Sequence, residues 1–347
     1  MLADEAGRVE WVIGVDTHRD RHVVAVVDRL GRVVDEVVVD ASRVGYGEAL
    51  RFADRHAGGG RFWAVEGTGC YGAGLCRFLV DLGERVWEVE RPQRRGRDGR
   101  MKTDWLDARR AAGHVLGGGG STPRQGAQTD ALRLLLRTRE GAVSARTEAV
   151  NQLRAAIVTA PAELRERLSG LTRTQLVKAC RRLRPAPDHA EQAAFALAAR
   201  SLAERIRQLT LEADQLEQEL TRRLRAQQPS LLERRGVGPI IAAQLLVSWS
   251  QPGRIHSEAC FARLAGVAPI PASSGQTTRH RLDRGGDRDL NRALHTLALG
   301  LARSDPQTQR FLAERIARGK TRRDAIRLLK RYLARGLYRQ LEANHTT

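Results

Sequence analysis

Residues 11–28 read WVIGVDTHRDRHVVAVVD. Two apolar runs, Val12, Ile13 and Val15, then Val23, Val24, Val26 and Val27, flank a short polar turn. Short β-branched runs bounded by polar turns mark strands, so this stretch is expected to be a hairpin. A third run, RVVDEVVV from Arg32 to Val39, extends it into an antiparallel meander. Val44 to His56 carries a helical pattern that stops at Gly58, Gly59 and Gly60. FWAV, Phe62 to Val65, is a fourth strand ended by Glu66. Gly67-Thr68-Gly69 turns the chain into a helix from about Tyr71 to Leu82, and Arg85 to Val89 is a fifth strand. A loop and a helix holding Asp104 and Asp107 complete a β-β-β-α-β-α-β-α order.

Beyond this point the period changes from strand to helix. Gly117 to Gly120 and Ser121-Thr122-Pro123 form a flexible break. Leu132, Leu135, Leu136, Val143, Val150 and Leu153 then follow a helical spacing, with Arg133, Arg137, Arg139, Arg146 and Arg154 on other faces. Turns are expected at Pro161 and at Arg184-Pro185-Ala186-Pro187. A long helix runs from about Ala190 to Gln227. Within it Leu202, Ile206, Leu209, Ala213, Leu216, Leu220 and Arg223 recur at alternating spacings of four and three. That is a heptad seam, expected to be a coiled-coil arm for oligomerisation; the same pattern suits a helix packed on a neighbour in its own chain. In LLERRGVGPIIAAQLL, Leu231 to Leu246, a helix end meets the turn Gly236-Val237-Gly238, and Pro239 opens a new helix. This resembles a helix-hairpin-helix, whose backbone N–H groups near Gly236 and Gly238 can hold a phosphate without reading sequence. The expected division is 1–116, 117–230 (coiled coil about 190–227) and 231–347.

Composition narrows the partners. The 347 residues carry a formal net charge of +19, from 59 Lys plus Arg against 40 Asp plus Glu. Only four of the cations are lysines, Lys102, Lys178, Lys320 and Lys330. Such a balance implies a polyanion, with nucleic acid first. No apolar run approaches a membrane-spanning length, and the beginning MLADEAGRVE is polar and acidic, unlike a signal peptide. The expected location is the cytoplasm. Cys70, Cys76, Cys180 and Cys260 form no CxxC pair and suit a reducing compartment. His18 and His22 flank a hairpin turn rather than share a helix face, which argues against a histidine metal site.

The acids fall at the ends of the predicted elements. Asp16 ends the first strand and Glu66 the fourth, which could lie beside it in a mixed sheet. Asp104 and Asp107 are three apart, so on a helix they share a face. An Asp at a strand end is commonly a turn former, and acids in a first helical turn also complement the helix dipole. Four carboxylates converging from three elements would repel one another unless divalent cations joined them. One or two magnesium ions there could clamp the attacking and leaving oxygens of a phosphodiester. The strand and helix order is the ribonuclease H-like one. The segment RPQRRGRDGRMK, with Arg91, Arg94, Arg95, Arg97, Arg100 and Lys102, leads into the acidic helix and suits phosphate binding.

A second constellation lies in FARLAGVAPIPASSGQTTRHRLDRGGDRDLNRALHTLALGLA, Phe261 to Ala302. Ser273-Ser274-Gly275 is followed by Arg279, His280, Arg281 and Arg284. Gly285-Gly286 then lead to Asp287, an expected N-cap, and to a helix with Arg288, Asn291 and Arg292. A serine hydroxyl among guanidiniums could attack a phosphodiester, although a Ser-Ser-Gly turn is most often only a loop. Three other readings fit parts of the pattern. A hydrolytic ribonuclease H-like nuclease needs the acids but no serine, and a nucleic-acid-binding scaffold needs neither. An actin-like kinase expects a Gly-rich turn after the first Asp, where this chain has Thr17-His18-Arg19-Asp20.

Asp16, Glu66 and the segment KTDWLDA, Lys102 to Ala108, resemble the DEDD domain of the insertion sequence one-ten family of transposases. GVGPIIAAQLL followed by AGVAPIPASSGQTTRHRLDRGGDRDLNRALH resembles that family's C-terminal domain. The resemblance implies a RuvC-like N-terminal domain, a coiled-coil region and a mainly helical C-terminal domain with a nucleophilic serine. It implies magnesium at Asp16, Glu66, Asp104 and Asp107, and a covalent phosphoserine at Ser274, directly before Gly275, with Ser273 the alternative. It further implies donor and target DNA, a structured bridge RNA that pairs with both, and a dimer or tetramer in the bacterial cytoplasm, nucleoid-associated when active. The low aromatic content, 4%, agrees with sequence choice by RNA pairing rather than by base stacking on the protein.

Overall fold

The computed structural model describes residues 10–89, 104–184, 189–272, 280–281 and 285–343, with the side chains of Asp104 and His280 outside the description. The chain divides into two compact units, residues 1–125 and 126–347.

In the first unit the strands are β1 (Trp11–Thr17), β2 (Arg21–Asp28), β3 (Val33–Asp40), β4 (Arg61–Glu66) and β5 (Val86–Val89). They form one sheet in the order β3-β2-β1-β4-β5. The first three pair antiparallel, and β4 pairs parallel with both β1 and β5. Helices α1 (Arg43–His56) and α2 (Ala73–Asp81) supply the crossovers, and α3 (Asp104–Leu116) follows β5.

Alternation along the central strands explains the layering. Ile13, Val15, Val24, Val26, Trp63 and Val65 pack on one face with Ala49, Phe52, Leu75 and Leu79 of α1 and α2. Val12, Val27 and Ala64 face the other way, onto Ala111, Ala112 and Val115 of α3. Both faces of β1 and β4 are therefore buried, which is why their sequences are nearly continuously apolar. Strand β3 is an edge and leaves Val34 and Val38 exposed beside its acids. This mixed α/β sheet is consistent with the ribonuclease H-like expectation.

Among the described residues the second unit is helical, apart from one small β pair. Its helices are α4 (Ala127–Val158), α5 (Ala162–Ser169), α6 (Arg173–Arg181), α7 (Ala190–Gln227), α8 (Pro229–Glu233), α9 (Pro239–Trp249), α10 (Glu258–Leu264), α11 (Arg288–Ser304), α12 (Pro306–Ala317) and α13 (Arg322–Ala343). The two long helices lie antiparallel. Ala149, Leu153 and Ile157 of α4 share a core with Ala196, Ala199, Ala203 and Ile206 of α7, and at the opposite ends Leu132 meets Leu220 and Leu224. Arg139 of α4 pairs with Glu217 of α7 at 2.7 Å.

The heptad seam of α7 is thus used, at least in part, inside the chain. Ile206, Ala213 and Leu220 are buried, while Leu202, Leu209 and Leu216 are half-buried. Alanines on both helices permit the close approach, a feature that a spacing pattern alone does not assign to a partner. The remaining helices enclose a core around Trp249, Phe261, Leu294, Leu297, Leu333 and Leu337.

Candidate active site

Strand register places the first two acids. Gly14 pairs with Ala64 and Val15 with Val65 across the parallel β1–β4 ladder. Asp16 and Glu66 are the next residues in each strand, so they stand side by side at the carboxyl ends. By the two-residue period they continue the row Gly14–Ala64, on the face that meets α3. Both are buried, at 4% and 7% exposure. Thr17 Oγ1 donates a hydrogen bond to the Glu66 backbone oxygen at 2.9 Å and ties the two strand ends together.

Helix α3 passes directly over this row. A Cβ at Gly14 would lie 1.9 Å from the carbonyl oxygen of Ala108, so only glycine admits the helix backbone at this depth. Ala108 also packs on Val23 and Ala25 of β2. Asp107, the preceding residue, accepts a hydrogen bond from Arg110 Nη1 at 3.0 Å. Asp104 is the first residue of the same helix. The structure thus brings Asp16 and Glu66 together beneath the helix that carries Asp104 and Asp107.

The sequence does not assign two further participants to this site. His18 Nε2 lies 3.1 Å from Asp16 Oδ2, reaching back from the hairpin turn to the strand-end carboxylate. Gly14 is the other. Its signal was available, since an isolated glycine inside a strand marks a close backbone approach. His22, by contrast, points away from this row. It is buried on the opposite face of β2 and stacks on Tyr46 at 5.8 Å, and burial pushes its pKa down.

The donor chemistry at the strand ends fits a hard divalent cation, because two buried carboxylates present oxygen ligands from one face. Among the described residues, no group of three or more His, Cys, Asp or Glu side chains is close enough to hold a metal ion. The expected fourth acid, Asp104, has its side chain outside the described residues. So do the expected phosphate contacts Arg91, Arg94, Arg95, Arg97, Arg100 and Lys102.

The second constellation is held in the helical unit. Strands β6 (Ile270–Pro271) and β7 (His280–Arg281) pair antiparallel, so the connection containing Ser273 and Ser274 leaves and returns at one place. Those serines, Arg279 and Arg284 lie outside the described residues, whereas Arg281 and Arg288 are exposed. Asp287 caps α11 as expected, its side chain accepting from the backbone N–H groups of Asp289 and Leu290. In the Gly236-Val237-Gly238 turn, Pro239 is the first residue of α9 and Gly238 its N-cap. The helix before the turn, α8, is only five residues long. Gly236 has φ +81°, and a Cβ there would come within 2.9 Å of Leu297 and 3.2 Å of Leu301. This glycine therefore lets the turn pack onto α11. Among the described residues, no helix is long and apolar enough to cross a membrane.

Two family models match the chain in the same order as these constellations. One, described as a transposase, of the DEDD type of IS110 elements, matches residues 13–160. The other, described as the transposase IS116/IS110/IS902 family, matches residues 229–313. The chain is also similar to the insertion element IS110 uncharacterized 43.6 kDa protein of Streptomyces coelicolor, 36% identical over 104 residues. That match covers 30% of this chain and 26% of the relative, so the chain spans about a quarter of the relative's length. The first model covers Asp16, Glu66, Asp104 and Asp107 and the second covers the Gly236 turn, both serines and α11; the chain belongs to the IS110 family of transposases.

Proposed function

We propose that this protein is a DNA transposase, a site-specific recombinase that cuts and rejoins strands of a mobile insertion sequence. Asp16, Glu66, Asp104 and Asp107 hold one or two magnesium ions, and Ser274 is the nucleophile, with Ser273 the alternative. The observation that carries this reading is the buried pair Asp16 and Glu66, side by side under the helix that bears Asp107. A DEDD domain uses divalent metal in general; the all-carboxylate donor set supports a hard cation, of which magnesium is one.

Metal at the acids would supply charge neutralisation at the scissile phosphate. The serine oxygen bonds to phosphorus as the bond to a deoxyribose oxygen breaks, and that oxygen takes up a proton. The resulting ester keeps the energy of the phosphodiester, so rejoining needs no nucleotide cofactor. Arginines that follow the serine in the sequence would hold the phosphate and offset charge in the transition state.

The same reading includes a structured bridge RNA that pairs with donor and target DNA, and assembly as a dimer or tetramer. The net charge of +19 supports binding of more than one nucleic-acid backbone. At the α12–α13 corner Arg318, Lys320, Arg322 and Arg323 are all exposed, which supports a further phosphate-binding face. Half-buried Leu209 and Leu216 on α7 support contact with a second copy.

The test is recombination of a donor and a target plasmid by the protein with RNA co-purified from its host. Ser274→Ala is expected to keep DNA binding and to lose both recombination and the covalent protein–DNA adduct. Loss with Ser273→Ala alone would move the nucleophile by one residue. Undiminished recombination in both variants would leave a metal-dependent nuclease or recombinase without a serine step.

A further inference from the structure

Among the described residues Tyr332 and Tyr71, at 49% and 50%, are the exposed Phe, Tyr or Trp side chains. Tyr332 lies in the middle of α13. Phe311 of α12 meets it edge to face, with ring centroids 5.7 Å apart and planes at 86°. This contact fixes the orientation of the Tyr332 ring. It occupies at most one face of one ring, so Tyr332, with half its surface in solvent, keeps a ring face open.

Cations lead away from this ring pair. The Arg315 guanidinium lies over the Phe311 ring at 5.0 Å, and its Nε has no hydrogen-bond partner among the described residues. Phe311, Arg315 and Arg318 are spaced four and three apart, so they follow one side of α12 to its C-terminal end, over roughly 10 Å. Ile316, 44% exposed, adds apolar surface beside Arg315. The chain then turns into α13 through Lys320, Arg322 and Arg323, all exposed, as is Arg318. Against these five cations stands Glu314, exposed on the same helix, while Asp324 is taken by Arg327 at 3.0 Å.

A cluster of like charges repels itself, and a polyanion relieves that repulsion. Phosphates alone would account for the cations and leave the ring unexplained. An exposed ring beside a basic track is the combination that holds an unpaired strand, in which the backbone follows the cations and a base stacks on the ring. A duplex offers its phosphates equally well, yet its bases are already stacked on one another. The guanidinium over Phe311 extends the same surface, since arginine planes also stack on bases.

We propose that Tyr332, with Phe311, Arg315 and the basic α12–α13 corner, is a docking surface for an unpaired segment of a DNA strand. The occupant rests on the transposase reading above, since cutting and exchanging strands leaves DNA unpaired beside the break; the surface itself does not. One base lies on Tyr332, and the phosphates that follow it run along Arg315 and Arg318 to the corner. Every base has a stackable face, so this surface holds a strand irrespective of its sequence.

The test is photocrosslinking of the full chain, freed of bound nucleic acid by high salt, to oligodeoxythymidine carrying one 5-iodouracil. Mass spectrometry then locates the attached residue. The parent and Tyr332→Phe are expected to crosslink at position 332, and annealing the strand to oligodeoxyadenosine should lower that yield by about tenfold or more. Arg318→Gln combined with Lys320→Gln should raise the DNA concentration for half-maximal crosslinking at Tyr332 about tenfold. The melting temperature of that variant should be unchanged, because both side chains are in solvent. No adduct at position 332, or an equal yield from the duplex, overturns the surface. A half-maximal concentration equal to the parent's in the double variant overturns the basic track. A higher yield from oligouridine carrying the same 5-iodouracil assigns the face to RNA and overturns the DNA occupant. Crosslinking at Tyr332 by a chain that recombines no plasmid leaves the surface standing and fails the transposase reading; recombination without the crosslink does the reverse.

Discussion

Gly14 of β1 and Ala108 of α3 are in backbone contact, with room for a hydrogen but not for a methyl group between the strand and the helix carbonyl. Gly14 lies two residues before Asp16 on the same face of the strand, and Ala108 follows Asp107. This one approach therefore fixes the depth at which the acidic helix crosses the acidic strand ends. Helix α3 meets the sheet through small residues, Ala108, Ala111 and Ala112, and the two elements approach each other closely for the same reason.

Gly14→Ala is expected to push α3 off the sheet. The cost of overpacking such a contact is about 1–3 kcal/mol, read as a lower urea midpoint for the first unit. Strand cleavage should fall further than stability predicts, because the helix bearing Asp104 and Asp107 moves relative to Asp16. Normal cleavage in Gly14→Ala would mean that α3 has no part in the site.

Asp16→Asn and Glu66→Gln each remove one charge from the buried pair. Metal-dependent strand cleavage is expected to fall by about 10³-fold in either, since a catalytic metal contributes several kcal/mol. Titration calorimetry with magnesium or manganese should show weakened binding in both variants, and a mobility shift should show DNA binding retained. Parental metal affinity in both would place the ion elsewhere.

Glu84 gives the first unit an acid limit. Its carboxylate accepts from Arg61 Nε at 3.0 Å, Arg61 Nη2 at 2.5 Å and Trp63 Nε1 at 2.8 Å, joining the start of β4 to the approach to β5. Burial raises its pKa, but the hydrogen bonds from Arg61 and Trp63 and the nearby positive charges outweigh that, and the net shift is downward. A folded-state pKa below the unfolded one means that the unfolded chain binds the proton more readily. The contribution is therefore complete above the usual carboxylate range and is lost as pH falls through the folded-state value. Glu84→Gln should lower stability by about 2 kcal/mol at neutral pH and flatten the acid side of the stability profile. An unchanged acid slope would assign the limit to other carboxylates.

Arg318, Lys320, Arg322 and Arg323 crowd the corner between α12 and α13, all exposed and, among the described residues, without an ion pair. Each cation that meets a phosphate adds about 0.9 to the slope of log affinity against log salt. Replacing all four by glutamine should lower that slope by up to about 3–4 and leave the melting temperature nearly unchanged. A slope equal to the parent's would make the corner an ordinary solvated surface.

Much of the first unit was legible in the chain. Strand and helix spans follow from local signals, namely β-branched runs, glycine breaks and polar turns, and the observed β1 to β5 with α1 to α3 fall where those signals put them. Placing Asp16 and Glu66 at strand ends needed only the point where each apolar run stops. The order of elements also told that β4 could lie beside β1, and the parallel ladder realises it.

Other features could be decided only in three dimensions, because they depend on what each surface meets. A heptad seam states that one face of α7 is apolar and does not say whether the partner is α4 or a second chain; the alanines of both helices make α4 the partner for Ile206, and Leu132 of α4 meets Leu220. The glycine of the Gly236 turn read as a phosphate-binding feature, and its close packing on Leu297 and Leu301 emerges only when α11 is in place. His18 gave no sign that it would reach Asp16, nor Lys330 that it would lie buried against Asn291. Lys330 and Asn291 lie far apart in sequence, and no local pattern encodes their hydrogen bond. The chain by itself determined its elements and its candidate chemistry, through short-range sterics and hydrophobic period. Tertiary packing decided which acids share a face and which helix serves as a partner.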